Sequence, residues 1–393
     1  MTKMRIWEMV FPNDREIIIW GAGLNGKKWY KFLQGKRKIK YFIDVNPSIS
    51  ELHFENITVD VKLPSDVLVE NEIILISPKK DVDIIYEQAR NIGAKFIIIG
   101  EVYSHIPKNF SINREDLPSV PFGHYYSLYA DINDVKEKYE QNIDMEISDN
   151  KYIDGIDINE ENQIELLNKM NSLFESRPKW EVNENAYRYK CGNTSIGLSD
   201  TFLINFMLRI YRPKKYIEVG SGYSSAAALD TNEYYLDGKT QMEFIEPYPD
   251  LLYALLKEAD KEKVIIHPQK LQDISLKVFK NLHNGDILFI DSTHVSKSGS
   301  DVNYLFFHIL PCLESGVLVH LHDIFYPWDY PKEWINKNGW NEMYLLRAFL
   351  QYNSEWDIIF YNHYMAEEHK DLYHPEWRKQ SDLGGGSFWM RKK

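Results

Sequence analysis

Twice in this chain an apolar run breaks into a glycine-rich turn, and an acidic residue ends the next apolar run. The first copy is Glu16-Ile-Ile-Ile-Trp20, then Gly21-Ala-Gly23-Leu-Asn-Gly26, with Asp44 closing Tyr41-Phe-Ile-Asp44. The second is Tyr216-Ile-Glu218-Val219, then Gly220-Ser-Gly222-Tyr-Ser-Ser225, with Glu246 closing Met242-Glu-Phe-Ile-Glu246. A strand that turns sharply into a helix needs glycine at the turn. Strands that alternate with helices build parallel sheets. Two widely separated starts in 393 residues predict two α/β domains.

The first domain continues through Glu72–Ser77, a helix near Val82–Ile92 and Lys95–Gly100, and is read as residues 1–104. Residues 105–178 carry Pro107, Pro118 and Pro121, then acidic helical stretches around Val135–Gln141 and Glu160–Phe174. They read as a connector and helical cover. Residues 179–393 form the second domain. Its helix over Ser199–Ile210 has one apolar face, with Ser199 or Asp200 as the expected cap. Strands follow at Lys215–Val219, Met242–Glu246, Val264–His267, Asp286–Asp291 and Gly316–His322, then Trp356–Tyr361 and Ser387–Met390. Five crossover-linked strands and a late pair predict a seven-stranded sheet with one antiparallel strand.

Composition narrows the function. Lys and Arg number 46 against 58 Asp and Glu, a net charge of −12, which argues against nucleic acid as a partner. Two cysteines, Cys191 and Cys312, supply neither a disulfide framework nor a thiolate zinc site. No signal-like start is present, and no run reaches the ~18 apolar residues of a membrane span. The expectation is a soluble cytoplasmic enzyme acting on a small molecule, with no membrane partner.

The second glycine turn carries the chemistry. Gly220 and Gly222 let backbone approach a ligand at a helix N-terminus. Glu218 would accept a hydrogen bond from an ammonium group or an ordered water. Glu246, at the next strand end, sits where an acid accepts both ribose hydroxyls. Asp273 follows the third strand, where an acid would read an adenine amino group, and Asp291 ends the fourth. This set suits a nucleoside carrying an amino-acid tail better than a dinucleotide. A tight strand–helix turn with no ligand is the bland alternative.

Glu218-Val-Gly-Ser-Gly222, Phe244-Ile-Glu-Pro247 and Leu288-Phe-Ile-Asp-Ser-Thr-His294 resemble class I S-adenosylmethionine-dependent methyltransferases. Val319-His-Leu-His-Asp-Ile-Phe-Tyr326, Gly384-Gly-Gly-Ser-Phe-Trp389 and His124-Tyr-Tyr-Ser127 narrow the resemblance to a bacterial branch. That branch is related to the cephalosporin-hydroxylase-like and macrocin O-methyltransferase-like enzymes, and the likeness spans about 123–393. It implies two Rossmann-like domains, the second a methyltransferase sheet. It also implies that Glu218, Gly220 and Gly222 hold the methionine end of the cofactor, Glu246 the ribose and Asp273 the adenine. Ser224 departs from the usual third glycine.

Asp291, His294, His322 and Asp323 are expected together at the carboxyl edge of strands four and five. Related metal-dependent methyltransferases hold magnesium at such positions, but magnesium prefers oxygen ligands, and His322 replaces a carboxylate. The favoured reading makes His294 or His322, with Asp323, the proton-handling group and assigns no metal. Activity would then rise with pH through a group near 6–7. His320 shares a strand face with His322 and is expected inside the sheet.

Gly21–Gly26 fits G-x-G-x-x-G, and alone it would favour a dinucleotide oxidoreductase. A first domain this short holds little more than one mononucleotide half. It resembles small nucleotide- or nucleotide-sugar-binding domains fused to bacterial sugar-modifying enzymes. The combined reading is O-methylation of a small polar substrate such as a sugar or glycan precursor. The rivals are an NAD-dependent oxidoreductase and a non-catalytic binding protein that keeps the fold.

Overall fold

Strand Ile17–Trp20 (β2) is buried along its whole length because both faces of its sheet are covered. Ile17, Ile19, Phe42 and Leu75 pack into one core, while Ile18, Trp20, Ile43 and Ile74 pack into another. This is the period-two alternation of a strand expressed as two cores. The computed structural model describes residues 3–5, 15–54, 57–78, 81–99, 111–113, 153–182 and 185–393. The chain divides into two units, Met1–Ser119 and Val120–Lys393.

In the first unit, β1 (Lys3–Arg5) pairs antiparallel with β8 (Ser111–Asn113). The main sheet has six strands in the order β4-β5-β3-β2-β6-β7. These are β3 (Ile39–Ile43), β4 (Glu51–Phe54), β5 (Ile57–Lys62), β6 (Ile73–Ile76) and β7 (Phe96–Ile99) beside β2. Helices α1 (Leu24–Leu33) and α2 (Val82–Asn91) lie in the crossovers. The β4–β5 hairpin escaped the sequence reading, although Ile57-Thr-Val-Asp-Val-Lys62 alternates as a half-buried strand should. Asp44 folds back on its own glycine turn, accepting from Ala22 N at 2.7 Å and Asn46 N at 3.0 Å.

The second unit holds a seven-stranded sheet in the order β11-β10-β9-β12-β13-β15-β14. Its strands are β9 (Lys215–Val219), β10 (Gln241–Ile245), β11 (Ile265–His267), β12 (Ile287–Ile290), β13 (Leu318–Leu321), β14 (Trp356–Tyr361) and β15 (Phe388–Lys392). Only β15 runs antiparallel, against both β13 and β14, as expected. Helix α3 (Glu160–Leu173) covers β14, where Gln163 Oε1 accepts from Tyr361 N at 2.7 Å. Residues 135–141 and 124–127, read above as helix and cover, lie outside the described residues.

Helix α4 (Leu198–Tyr211) corrects two expectations. Its residues Ser199 to Leu208 are all buried, so it is a core helix and not one with a single apolar face. Neither Ser199 nor Asp200 caps it. Gly197 is the N-cap, and the distant Asp382 carboxyl accepts from Ser199 N at 3.0 Å. Helix α5 (Tyr223–Tyr235) follows the glycine turn and buries Ala226, Ala227 and Ala228. Among the described residues, no helix is long and apolar enough to cross a membrane.

Candidate active site

The carboxyl ends of β9, β10, β12 and β13 meet at one edge, the usual ligand edge of a parallel sheet. Gly220 leaves β9 at φ +82°, and a Cβ there would lie 1.7 Å from the Asp291 carbonyl oxygen. No side chain fits. The turn is pinned by Gly220 N donating to Ile245 O at 3.1 Å and Asp291 N donating to Val219 O at 2.9 Å.

Glu218 lies beneath this turn and does not reach the ligand side. It is fully buried and accepts from Tyr216 Oη at 2.9 Å, Ser224 Oγ at 2.5 Å and Ser225 Oγ at 2.8 Å. Ser225 Oγ also accepts from Gly222 N at 3.0 Å. Contact between Glu218 and a ligand ammonium is therefore corrected to a supporting role. Ser224, the departure from a third glycine, supplies one of the hydroxyls.

Burial raises the Glu218 carboxyl to about 7, with the three hydroxyls opposing. An unfolded Glu ionises near 4.5, so this raised group favours folding fully below that pH. Its contribution is lost as pH rises toward about 7. Glu218→Gln should remove this dependence. Urea midpoints at pH 4.5 and 7.5 should fall less in the variant than in the wild type, and equal falls would contradict it.

A cleft of about 460 Å³ opens beside the turn, lined by Gly220, Glu246, Tyr248, Leu271, Gln272 and Asp291 among others. Small-molecule sites fall in this range. Glu246 is oriented by the backbone: its oxygens accept from Ser221 N at 3.3 Å and Tyr248 N at 2.8 Å. Ser221 Oγ, buried in the turn, has no protein hydrogen-bond partner. Asp273 is exposed on the short turn Leu271–Asp273, and the lining face of that turn is Leu271 and Gln272.

Beyond β12, His294 sits at φ +58°, and its buried ring meets three carboxyl groups. Nδ1 lies 2.9 Å from Glu342 Oε2, while Nε2 lies 3.2 Å from Asp291 Oδ1 and 3.5 Å from Asp323 Oδ2. Burial alone would push the imidazole down. Hydrogen bonds and charge from Asp291 and Glu342 outweigh it and raise the group to about 10. The expected group near 6–7 is corrected accordingly. Asp323 is buried, which favours its neutral form, but His322 and His294 hold it below the usual carboxylate range.

His322 is not part of this cluster's open side. Its Nδ1 lies 3.1 Å from Asp323 Oδ1, and its Nε2 lies 3.6 Å from buried Asp200 without a hydrogen bond. The strand pleat explains this: His322 continues the inward face of His320, which stacks on Phe289 at 3.8 Å and meets Ser387 Oγ at 2.8 Å. The triple glycine lets backbone close on the same region. A Cβ at Gly385 would lie 2.2 Å from Asp200 Oδ2, and one at Gly386 would lie 2.6 Å from Asp323 Cα.

The magnesium positions Asp291, His322 and Asp323 thus do not converge. The donor atoms that do come within 4.8 Å of one another belong to Asp291, His294 and Asp323. An ion between the two carboxylates would have to displace the imidazole nitrogen both already face, and magnesium favours oxygen over imidazole. These residues do not fit a magnesium site.

A family model described as "Methyltransferase domain" matches residues 217–324, spanning β9 to the loop after β13. An uncharacterised protein of Archaeoglobus fulgidus is 31% identical over 182 residues, 45% of this chain and 80% of its own length. The chain carries a methyltransferase domain over residues 217–324. Two solved structures similar to this methyltransferase are the SAH-bound Podospora anserina methyltransferase PaMTH1 and the Streptomyces achromogenes O-methyltransferase TomG with SAM. The first is 16% identical, covering 70% of this chain and 100% of that chain at a TM-score of 0.34. The second is 15% identical, covering 58% and 89% at 0.34.

Among the site residues of this methyltransferase, Glu342 was the one whose place the sequence reading missed. Nothing local ties Glu342 to His294, 48 residues before it.

Proposed function

We propose that this methyltransferase modifies a hydroxyl oxygen of a small polar acceptor, a sugar or glycan-precursor unit, in the cytoplasm. The observation that carries the oxygen assignment is His294 Nε2 at the strand edge beside the cleft, ringed by Asp291 and Asp323. The sugar reading is supported by the resemblance of the first domain to nucleotide-sugar-binding domains. In this reading Gly220 and Gly222 admit the methionine end of the cofactor and Glu218 supports them from below. Glu246 takes the ribose hydroxyls, Asp291 borders the reacting edge, and the turn ending at Asp273 borders the adenine.

S-adenosylmethionine supplies a methyl group already activated by its sulfonium leaving group. The protein supplies alignment, exclusion of water and a proton acceptor. With the cofactor held there, an acceptor oxygen would take its methyl group as the sulfur leaves, and neutral His294 Nε2 would accept the hydroxyl proton. Asp323 and Asp291 stabilise the imidazolium that results. His322, turned inward, holds Asp323.

The cofactor assignment is tested by calorimetry on the full chain. Glu246→Ala should weaken S-adenosylmethionine by about 1–3 kcal/mol, roughly 5- to 150-fold in Kd. Unchanged affinity would reject the assignment. Binding of NADH in its place at this cleft would favour the oxidoreductase reading instead.

A further inference from the structure

Glu342 opens helix α6 (Glu342–Leu350), 48 residues after His294, and its side chain is 1% exposed. Its two oxygens face two residues of one loop. Oε2 meets His294 Nδ1 at 2.9 Å, and Oε1 accepts from Ser292 Oγ at 3.0 Å. Ser292 Oγ in turn accepts from His294 N at 3.2 Å. The backbone repeats the clamp, because Asn341 N and Glu342 N donate to the His294 carbonyl at 3.0 and 3.1 Å. The Trp340 ring lies 4.5 Å from the imidazole at 45°. Glu342 does not line the cleft.

We propose that Glu342 is a positioning residue: by engaging Nδ1 it fixes the ring orientation of His294 and presents Nε2 to the reacting edge. The proposal rests on the reading of His294 as proton acceptor. An imidazole has two unlike nitrogens, and a partner on one decides which way the other faces and which tautomer persists when the ring is neutral. Asp291 and Asp323 face only Nε2, and with no partner on Nδ1 they would draw the ring's one proton to Nε2. A carboxyl group buried behind the ring holds that proton on Nδ1. The left-handed backbone at His294, φ +58°, is held by the donors Asn341 N and Glu342 N at the helix start.

The test uses the full chain labelled with 15N-histidine, the His294 resonances being assigned by their loss in His294→Ala. Recorded above about pH 10, where the ring is neutral, long-range proton–nitrogen correlation should show Nδ1 protonated and hydrogen-bonded in the wild type. In Glu342→Ala that signature should be lost. In Glu342→Gln, whose amide oxygen still accepts, it should persist in weakened form. With an acceptor in hand, Glu342→Ala should lower kcat by about 10- to 100-fold and leave KM for the cofactor unchanged, with Glu342→Gln partly rescuing it. If Glu342→Ala fails to fold, Glu342→Gln decides alone through its nitrogen shift. An unaltered His294 signature in the folded variants would overturn the proposal. Full activity in His294→Ala with the expected nitrogen shifts would instead overturn the proton-acceptor reading and leave the orientation claim standing.

Discussion

His294→Ala is expected to lower methyl transfer by about 10²–10⁴-fold while leaving cofactor affinity unchanged. Its ring lies at the strand edge beyond the glycine turn and does not line the cleft. Its raised pKa of about 10 gives the pH profile a sign. Proton acceptance needs the neutral ring, so activity should fall as pH drops below the pKa and level off above it. The positive charge of bound cofactor pushes the same group down. The inflection should therefore lie above 6.5 and at or below about 10 in kcat measured from pH 6 to 10.5. An inflection near 6.5 would mean the three carboxyl groups do not act on the ring as placed. His322→Ala should act through stability, because its ring packs inward toward Asp200. Chelator should leave turnover intact. Turnover abolished by chelator and restored by magnesium would replace this account with a metal-centred one.

Gly220→Ala should be the most damaging substitution in the cofactor turn. Two costs combine there. A Cβ would sit 1.7 Å from the Asp291 carbonyl, and φ of +82° is left-handed. Left-handed strain alone costs on the order of 1 kcal/mol, but a backbone clash forces β9 away from the end of β12 and carries the loss past about 3 kcal/mol. Cofactor affinity should fall further than in Glu246→Ala, because the whole turn moves. Gly238→Ala is the control: its φ is +68°, yet nothing lies within 4 Å of the added carbon. Thermal melts should show a small shift there and a large one at Gly220. Equal shifts would show that left-handed strain, and not the approach of Asp291, makes glycine necessary.

The sequence by itself determined the sheet and the turn. Strand runs, glycine at a strand end and acids closing the following strands are local patterns, and the backbone obeys them over a few residues. The seven-stranded sheet with its single antiparallel strand follows from such patterns and from the rule that crossovers join parallel neighbours. What only the tertiary structure decided is where side chains point once distant segments meet. Glu218 and Glu246 both follow apolar strand residues, yet one is sealed beneath the turn by Tyr216, Ser224 and Ser225, and the other faces the cleft. His294 and His322 were equivalent candidates until the pleat turned His322 inward and helix α6 brought Glu342 to His294. Helix α4 takes its capping acceptor from Asp382, 183 residues away. A chain's local pattern fixes backbone direction, but the partner of a buried polar atom is whichever group the closed fold delivers, and that group carries no mark in its own neighbourhood.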